Sequence, residues 1–334
     1  MRLRRIQGTR LVDLFEKILT RDEFVDHPPV LLDIGAAVSI HPKWKDIARY
    51  SLCIAFDADE RGMGYVTSGS AGFRKLYVYH RIVTSEKTGE ADFYLTKFPP
   101  CSSILKPDLE NLSAWAFADL FGVEKTVRLR TIFLPDVLKE LRLEKIDWFK
   151  TDSQGTDLRL FDSLGESRIN RVLVAEFEPG IIDAYEEEDK LWSLMAYMER
   201  HPFWMADIRI QGSQRIHREI LNDKLGPLGV KMIPLLCKTS PGWGEVTYFN
   251  AFRADSADLD KRDYLLGWIF AIIEKQFGFA LEISAEGSRR FHDPIFRELE
   301  DHAISRAQRG YIKAPFFVFQ RIAAKIYGLL HGKH

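Results

Sequence analysis

Val30-Leu31-Leu32-Asp33-Ile34-Gly35-Ala36-Ala37-Val38-Ser39 decides how this chain is read. Three apolar residues run into an acid, then a glycine and two small residues. This is the pattern of a first parallel strand and the turn that leaves it, where a bare glycine lets backbone approach a ligand. The second and third glycines of G-x-G-x-x-G are missing, which argues against a dinucleotide site. A buried strand with an ordinary turn is the competing reading.

Outward from this stretch the chain alternates. Before it, Leu11, Leu14, Phe15, Ile18 and Leu19 recur at helical spacing with Thr9 as a cap, and His27-Pro28-Pro29 ends that helix. After it, Pro42 opens a helix expected to run to about Tyr50. Residues 52–56 read as a second strand, closed by Asp57-Ala58-Asp59. In a βαβ unit an acid about twenty residues past the first turn stands beside a nucleoside's ribose, whose two hydroxyls it can accept. A third strand is expected over 76–83 and a short extra strand over 91–96. Leu134, Val137, Leu138 and Leu141 make a helical stripe. Residues 146–152 and 172–177 read as the fourth and fifth strands, the first ending in Asp152, the second closed by Glu178-Pro179-Gly180. A helix is expected over 185–200, burying Leu191, Leu194, Met195 and Met198, with Glu186-Glu187-Glu188-Asp189 as its solvated start. Two late strands follow, over 204–210 and 245–252. The alternation predicts an α/β domain: a mostly parallel sheet with helices on both faces.

Composition bounds the function. Of 334 residues, 46% are hydrophobic and 28% charged, which is globular rather than disordered. A net charge of −1 gives no field to recruit nucleic acid. Cys53, Cys101 and Cys237 are too few and scattered for a disulfide framework or a zinc site, so a reducing, cytoplasmic setting is expected. No apolar run reaches the roughly 20 residues that cross a bilayer. MRLRRIQGTR lacks the apolar core of a secretory signal, and Asp13, Glu16, Asp22 and Glu23 argue against a transit peptide.

From about Asp255 no further strand is expected. Residues 264–273 are uncharged and apolar nearly all round, and 316–330 are aromatic and aliphatic with Arg321 and Lys325 four apart. These helices would pack on the domain, join two copies as a homodimer, or rest on a membrane surface. The expected organisation is an N-terminal helical segment (1–29), a domain over 30–253 and a helical C-terminal extension (254–334).

Three segments together resemble the FkbM-type S-adenosylmethionine-dependent methyltransferases. They are LLDIGA (31–36), AFDAD (55–59) and, most specifically, IDWFKTDSQGTDLRLFDSL (146–164). TGEADFYLT (88–96) and CSSIL (101–105) resemble the family's hairpin and its Ser-Ser pair. The resemblance covers roughly residues 30–210. It implies a Rossmann-like class I methyltransferase fold: seven strands, the last antiparallel. It also implies O-methyl transfer to a hydroxyl of a sugar, glycan or glycosylated metabolite.

On that resemblance the cofactor would meet Asp33, Gly35, Ala36, Ala37, Asp57, Ser102, Ser103 and Asp152. Asp152, Glu178 and His41 are the candidate bases, since an alcohol attacks well only as its proton leaves. Asp152 capping the next helix, Glu178 as a solvated turn residue and His41 as a helix-start residue are their structural alternatives. Gln154 would orient the acceptor hydroxyl. No metal is assigned, for lack of a third oxygen ligand beside Asp152 and Glu178. The chain departs from the family where Ala37-Val38-Ser39 follows the first turn, where Asp57-Ala58 replaces Glu-Pro, and at Gln154 in place of Glu. These departures keep open a catalytically degenerate binding module that docks a partner or membrane through its C-terminal helices.

Overall fold

The computed structural model describes residues 11–36, 40–59, 72–253 and 259–308, together with Ile322. The expected positions Thr9 and Ala37 and, apart from Ile322, the helix expected over 316–330 lie outside the described residues. The chain divides into two compact units, residues 19–253 and residues 11–18 with 259–308. The N-terminal helix therefore groups with the C-terminal helices rather than standing as a segment of its own.

In the larger unit seven strands form one sheet: β1 (Val30–Ile34), β2 (Leu52–Phe56), β3 (Lys75–Tyr79), β7 (Trp148–Thr151), β8 (Val174–Phe177), β9 (Phe203–Ser213) and β10 (Ser240–Asn250). Their order is β3-β2-β1-β7-β8-β10-β9. All run parallel except β10, which pairs antiparallel with both β8 and β9. The chain starts at β1 in the middle, builds outward to β3, then returns to lay β7 on β1's other edge. That reversal opens a crevice at the carboxyl ends of the central strands.

Three more strands, β4 (Ile82–Thr84), β5 (Glu90–Thr96) and β6 (Val123–Phe133), make a smaller sheet in the order β4-β6-β5. The strand expected over 76–83 is thus two. It breaks at His80-Arg81, and its second half leaves the main sheet to pair with Thr131–Phe133 of β6. The extra strand over 91–96 is present within β5.

Alternate residues of the main strands face opposite ways. Val30, Leu32, Ile34, Ile54, Phe56, Phe149 and Phe177 join the core under helices α4 (Leu134–Glu140), α5 (Asp157–Asp162), α6 (Glu166–Ile169) and α7 (Leu191–Met198). Earlier short helices are α1 (Leu11–Leu19), α2 (Asp22–Val25) and α3 (Leu109–Leu112). On the opposite face Trp44 meets Trp148 edge-on, ring centroids 5.8 Å apart. The helix expected over 42–50 is two 3₁₀ turns, Pro42–Trp44 and Ala48–Tyr50. Trp44 and Ile47, both fully buried, stand three residues apart, the repeat of that tighter winding.

The helix expected over 185–200 is only α7. Residues 185–190 are spent on specific contacts: Arg159 donates from Nη2 to Asp189 at 3.0 Å, and Lys190 pairs with Glu188. The acidic run is therefore no solvated helix start, and Met195 is exposed rather than buried.

Between β9 and β10 lies α8 (Arg218–Leu236), broken at Gly226 (φ 59°). In the smaller unit α9 (Lys261–Ile273) is buried from Arg262 to Ile272 and opens on a capping box between Asp260 and Asp263. It packs with α10 (Phe277–Phe291) and α11 (Ile295–Gln308). Gly287 of α10 sits where a Cβ would strike the Phe296 ring at 2.3 Å. Among the described residues no helix is long and apolar enough to cross a membrane.

Candidate functional site

Two hollows meet at the carboxyl ends of the central strands. The first, about 110 Å³, is walled by Gly35 after β1, Asp57 and Asp59 after β2, Ser102, and Asp152 and Gln154 after β7. The second, about 270 Å³, is walled by Glu178 after β8 and by aromatic residues including Phe117, Phe121, Tyr185 and Trp243. Pro100, Asp152 and Gln154 belong to both, so they form the divide.

Gly35 holds the divide in place. Its φ of +82° suits glycine, and an added Cβ would lie 2.1 Å from the Asp152 carbonyl oxygen. The Asp152 N–H donates to the Ile34 carbonyl at 3.0 Å. The glycine is thus demanded by the neighbouring strand's backbone, whatever passes above it.

Asp57 is 7% exposed. Its Oδ1 accepts from the Asp59 N–H at 2.8 Å, while Oδ2 is buried with no hydrogen-bond partner among the described residues. Burial pushes this carboxyl up to about 6, against the Asp59 N–H that lowers it.

Asp152 and Glu178 are raised together. Burial is the largest cause for both. Lys150 draws Asp152 back down, whereas Glu178 faces Asp152, Asp157 and Glu245 and moves further. Both carboxyls are pushed toward the protonated form, Glu178 the more strongly because like charges face it, and that direction disfavours Glu178 as a base. Gln154, at φ 57°, donates from Nε2 to Asp152. The Tyr185 hydroxyl lies 2.9 Å from Gln154 Oε1 and 2.8 Å from the Cys101 carbonyl. Burial pushes the Cys101 thiol up to about 12, so it is no nucleophile.

Other expected residues serve elsewhere. Asp33 is fully buried on the sheet's other face. It accepts from Lys150 Nζ at 2.8 Å and from the His41 N–H at 3.4 Å, and it lines neither hollow. Lys150 is raised although burial lowers it, because Asp33 and then Asp152 hold the charge. His41 lines neither hollow; its Nδ1 accepts from the Lys43 N–H at 3.2 Å, and burial followed by Lys43 lowers it. Ala36 is buried against Ala55. Ser102 reaches the first hollow and accepts from the Thr96 N–H. Ser103 does not; it donates to the Gln154 carbonyl at 2.7 Å and so holds that residue's loop. No cluster of metal-ligating side chains occurs among the described residues.

No family model, curated protein or solved structure matches the chain. What the site can do follows from its own geometry. The sequence missed one residue that builds it, Asp157. Buried at the start of α5, it accepts from the Ser153 N–H at 2.9 Å and from the Glu178 N–H at 2.7 Å. It thereby joins the ends of β7 and β8. Its place three residues past Gln154 at a helix start was the available signal.

Proposed function

We propose that this chain is an S-adenosylmethionine-dependent O-methyltransferase acting on a hydroxyl of a sugar, glycan or glycosylated metabolite. The finer fold reading, a class I methyltransferase of FkbM type, belongs to the same proposal. Seven strands with the last reversed are the sheet that the resemblance implies. One observation carries the reading. A hollow with a buried, unpartnered carboxylate oxygen on Asp57 adjoins a second, aromatic hollow across Asp152 and Gln154. A group-transfer enzyme needs such paired seats, with donor and acceptor aligned across a dry divide.

The residues present fit the cofactor. Asp57 Oδ2 lacks a donor among the described residues, which a ribose hydroxyl would supply. Ionised Asp152 offers a negative charge where a sulfonium would sit. When bound, the cofactor supplies a methyl group on a positively charged sulfur. Asp152, raised by burial and drawn back down by Lys150, would accept the acceptor's hydroxyl proton within the divide. Gln154 fixes the orientation of that carboxylate through its own hydrogen bond. Glu178, pushed by burial toward its protonated form, lines the second hollow and would donate a hydrogen bond there when protonated. Isothermal calorimetry with S-adenosylhomocysteine tests this reading. Binding in the micromolar range is expected; no heat at millimolar ligand overturns it.

A further inference from the structure

We propose that α8, the helical insert between β9 and β10, seats the protein on an anionic lipid surface. Its leucines would enter the apolar boundary and its lysines would meet the headgroups. Past the break at Gly226, Leu228, Met232 and Leu236 follow at four-residue spacing, which puts them on one side of a helix. Leu228 is 72% and Leu236 73% exposed, and Ile220 and Leu225 are exposed as well. Single exposed leucines are ordinary; a run of them along one helix marks a surface that something covers.

Charge says what covers it. Lys231 and Lys238 are exposed beside the apolar run, Lys224 is exposed and paired with Asp223 at 2.8 Å, and no acidic residue lies between Asp223 and Glu245. A second copy would bring like charges together and be repelled. A lipid surface carrying negative headgroups meets both features at once. The helix does not meet the length and apolarity needed to span a bilayer, so it would lie in the interface. The insert also leaves from and returns to the acceptor side of the molecule. Ser213 ends β9 just before α8, and Gly242 and Trp243 of β10 follow it; all three line the second hollow. Docking would set that hollow beside the lipid surface.

Co-sedimentation of the full chain with vesicles tests this. Vesicles of phosphatidylcholine with phosphatidylserine should bind the protein at least tenfold more than phosphatidylcholine alone. L228E/L236E should lower binding to the anionic vesicles at least tenfold. K231E/K238E should do so independently and remove the lipid preference. Both pairs lie in the segment between β9 and β10, so their effect is separate from that of the C-terminal helices, and circular dichroism checks that each variant folds. Wild-type protein that stays in solution with both vesicles overturns the proposal, as do variants that sediment like wild type. So does a light-scattering dimer that L228E/L236E dissolves without any vesicle binding.

Discussion

Asp57 has a cost and a use that oppose each other. Its folded carboxyl is raised to about 6, above the ordinary 3.8. The folded state therefore holds the proton more tightly than the unfolded chain. The penalty is absent below about pH 4, grows as pH rises, and is complete above pH 6. Asp57→Asn should remove it, making the ligand-free protein about 1–2 kcal/mol more stable at pH 7 and no more stable at pH 4. The same change should weaken S-adenosylhomocysteine several-fold, because the amide accepts at only one atom. Wild-type affinity should fall by a similar several-fold as the pH drops through about 6 and then level off, because the protonated carboxyl, like the amide, keeps one good acceptor. Denaturant melts at the two pH values and calorimetry across pH 5–8 check this. A variant that loses stability at pH 7 would show that the residue is structural. Asp57, Gly35, Asp152 and Gln154 line one hollow, and their neighbourhood was legible because a strand's end is a fixed address in a parallel sheet. The sequence could not place Asp33, whose orientation is set by Lys150, 117 positions away. Nor could it read the upward push on Glu178, which comes from burial and from carboxylates that only folding gathers.

At the scale of elements, two joints hold the hollows open. One ties β1 to β7 at Gly35, the other β7 to β8 at Asp157. Gly35→Ala adds a Cβ at 2.1 Å from the Asp152 carbonyl in a left-handed backbone. It should cost about 3 kcal/mol and shift Asp152 enough to abolish cofactor binding. A melt like wild type would show that the divide gives way more easily than its packing implies. Asp157→Ala leaves the Ser153 and Glu178 N–H groups without their acceptor. About 1–3 kcal/mol per stranded donor is expected, read by urea unfolding. Elements decided by long-range contacts were less legible. β6 carries Glu124, Lys125, Arg128 and Arg130 on its exposed positions, and these hide the alternation of Val127 and Leu129. The helix expected over 185–200 had the right apolar spacing. Its first turn is lost because Glu188 and Asp189 find Lys190 and Arg159 instead of solvent. The main strands, apolar on both faces, were legible because burial on both sides leaves no other pattern.

At the scale of the whole molecule, residues 11–18 group with the helices of 259–308 in one unit. Phe15 of α1 meets the Trp268 ring of α9 edge-on, centroids 6.4 Å apart, and Trp268 also meets His302 of α11. Lys17 pairs with Glu298 beside them. Short helices at a terminus usually fray; this one is held because Leu14, Phe15 and Ile18 are buried. The residues lining both hollows run from Ile34 to Trp243, all within the larger unit. Trp268→Ala should therefore separate stability from binding. Removing a fully buried indole should cost about 3–5 kcal/mol and lower the melting temperature by several degrees. In the protein that remains folded at 15 °C, the S-adenosylhomocysteine affinity should equal that of wild type. A melt paired with calorimetry at that temperature decides it. Weakened binding in folded protein would mean that the hollows need the smaller unit to keep their shape, and that the cofactor seat is not the property of residues 19–253 alone.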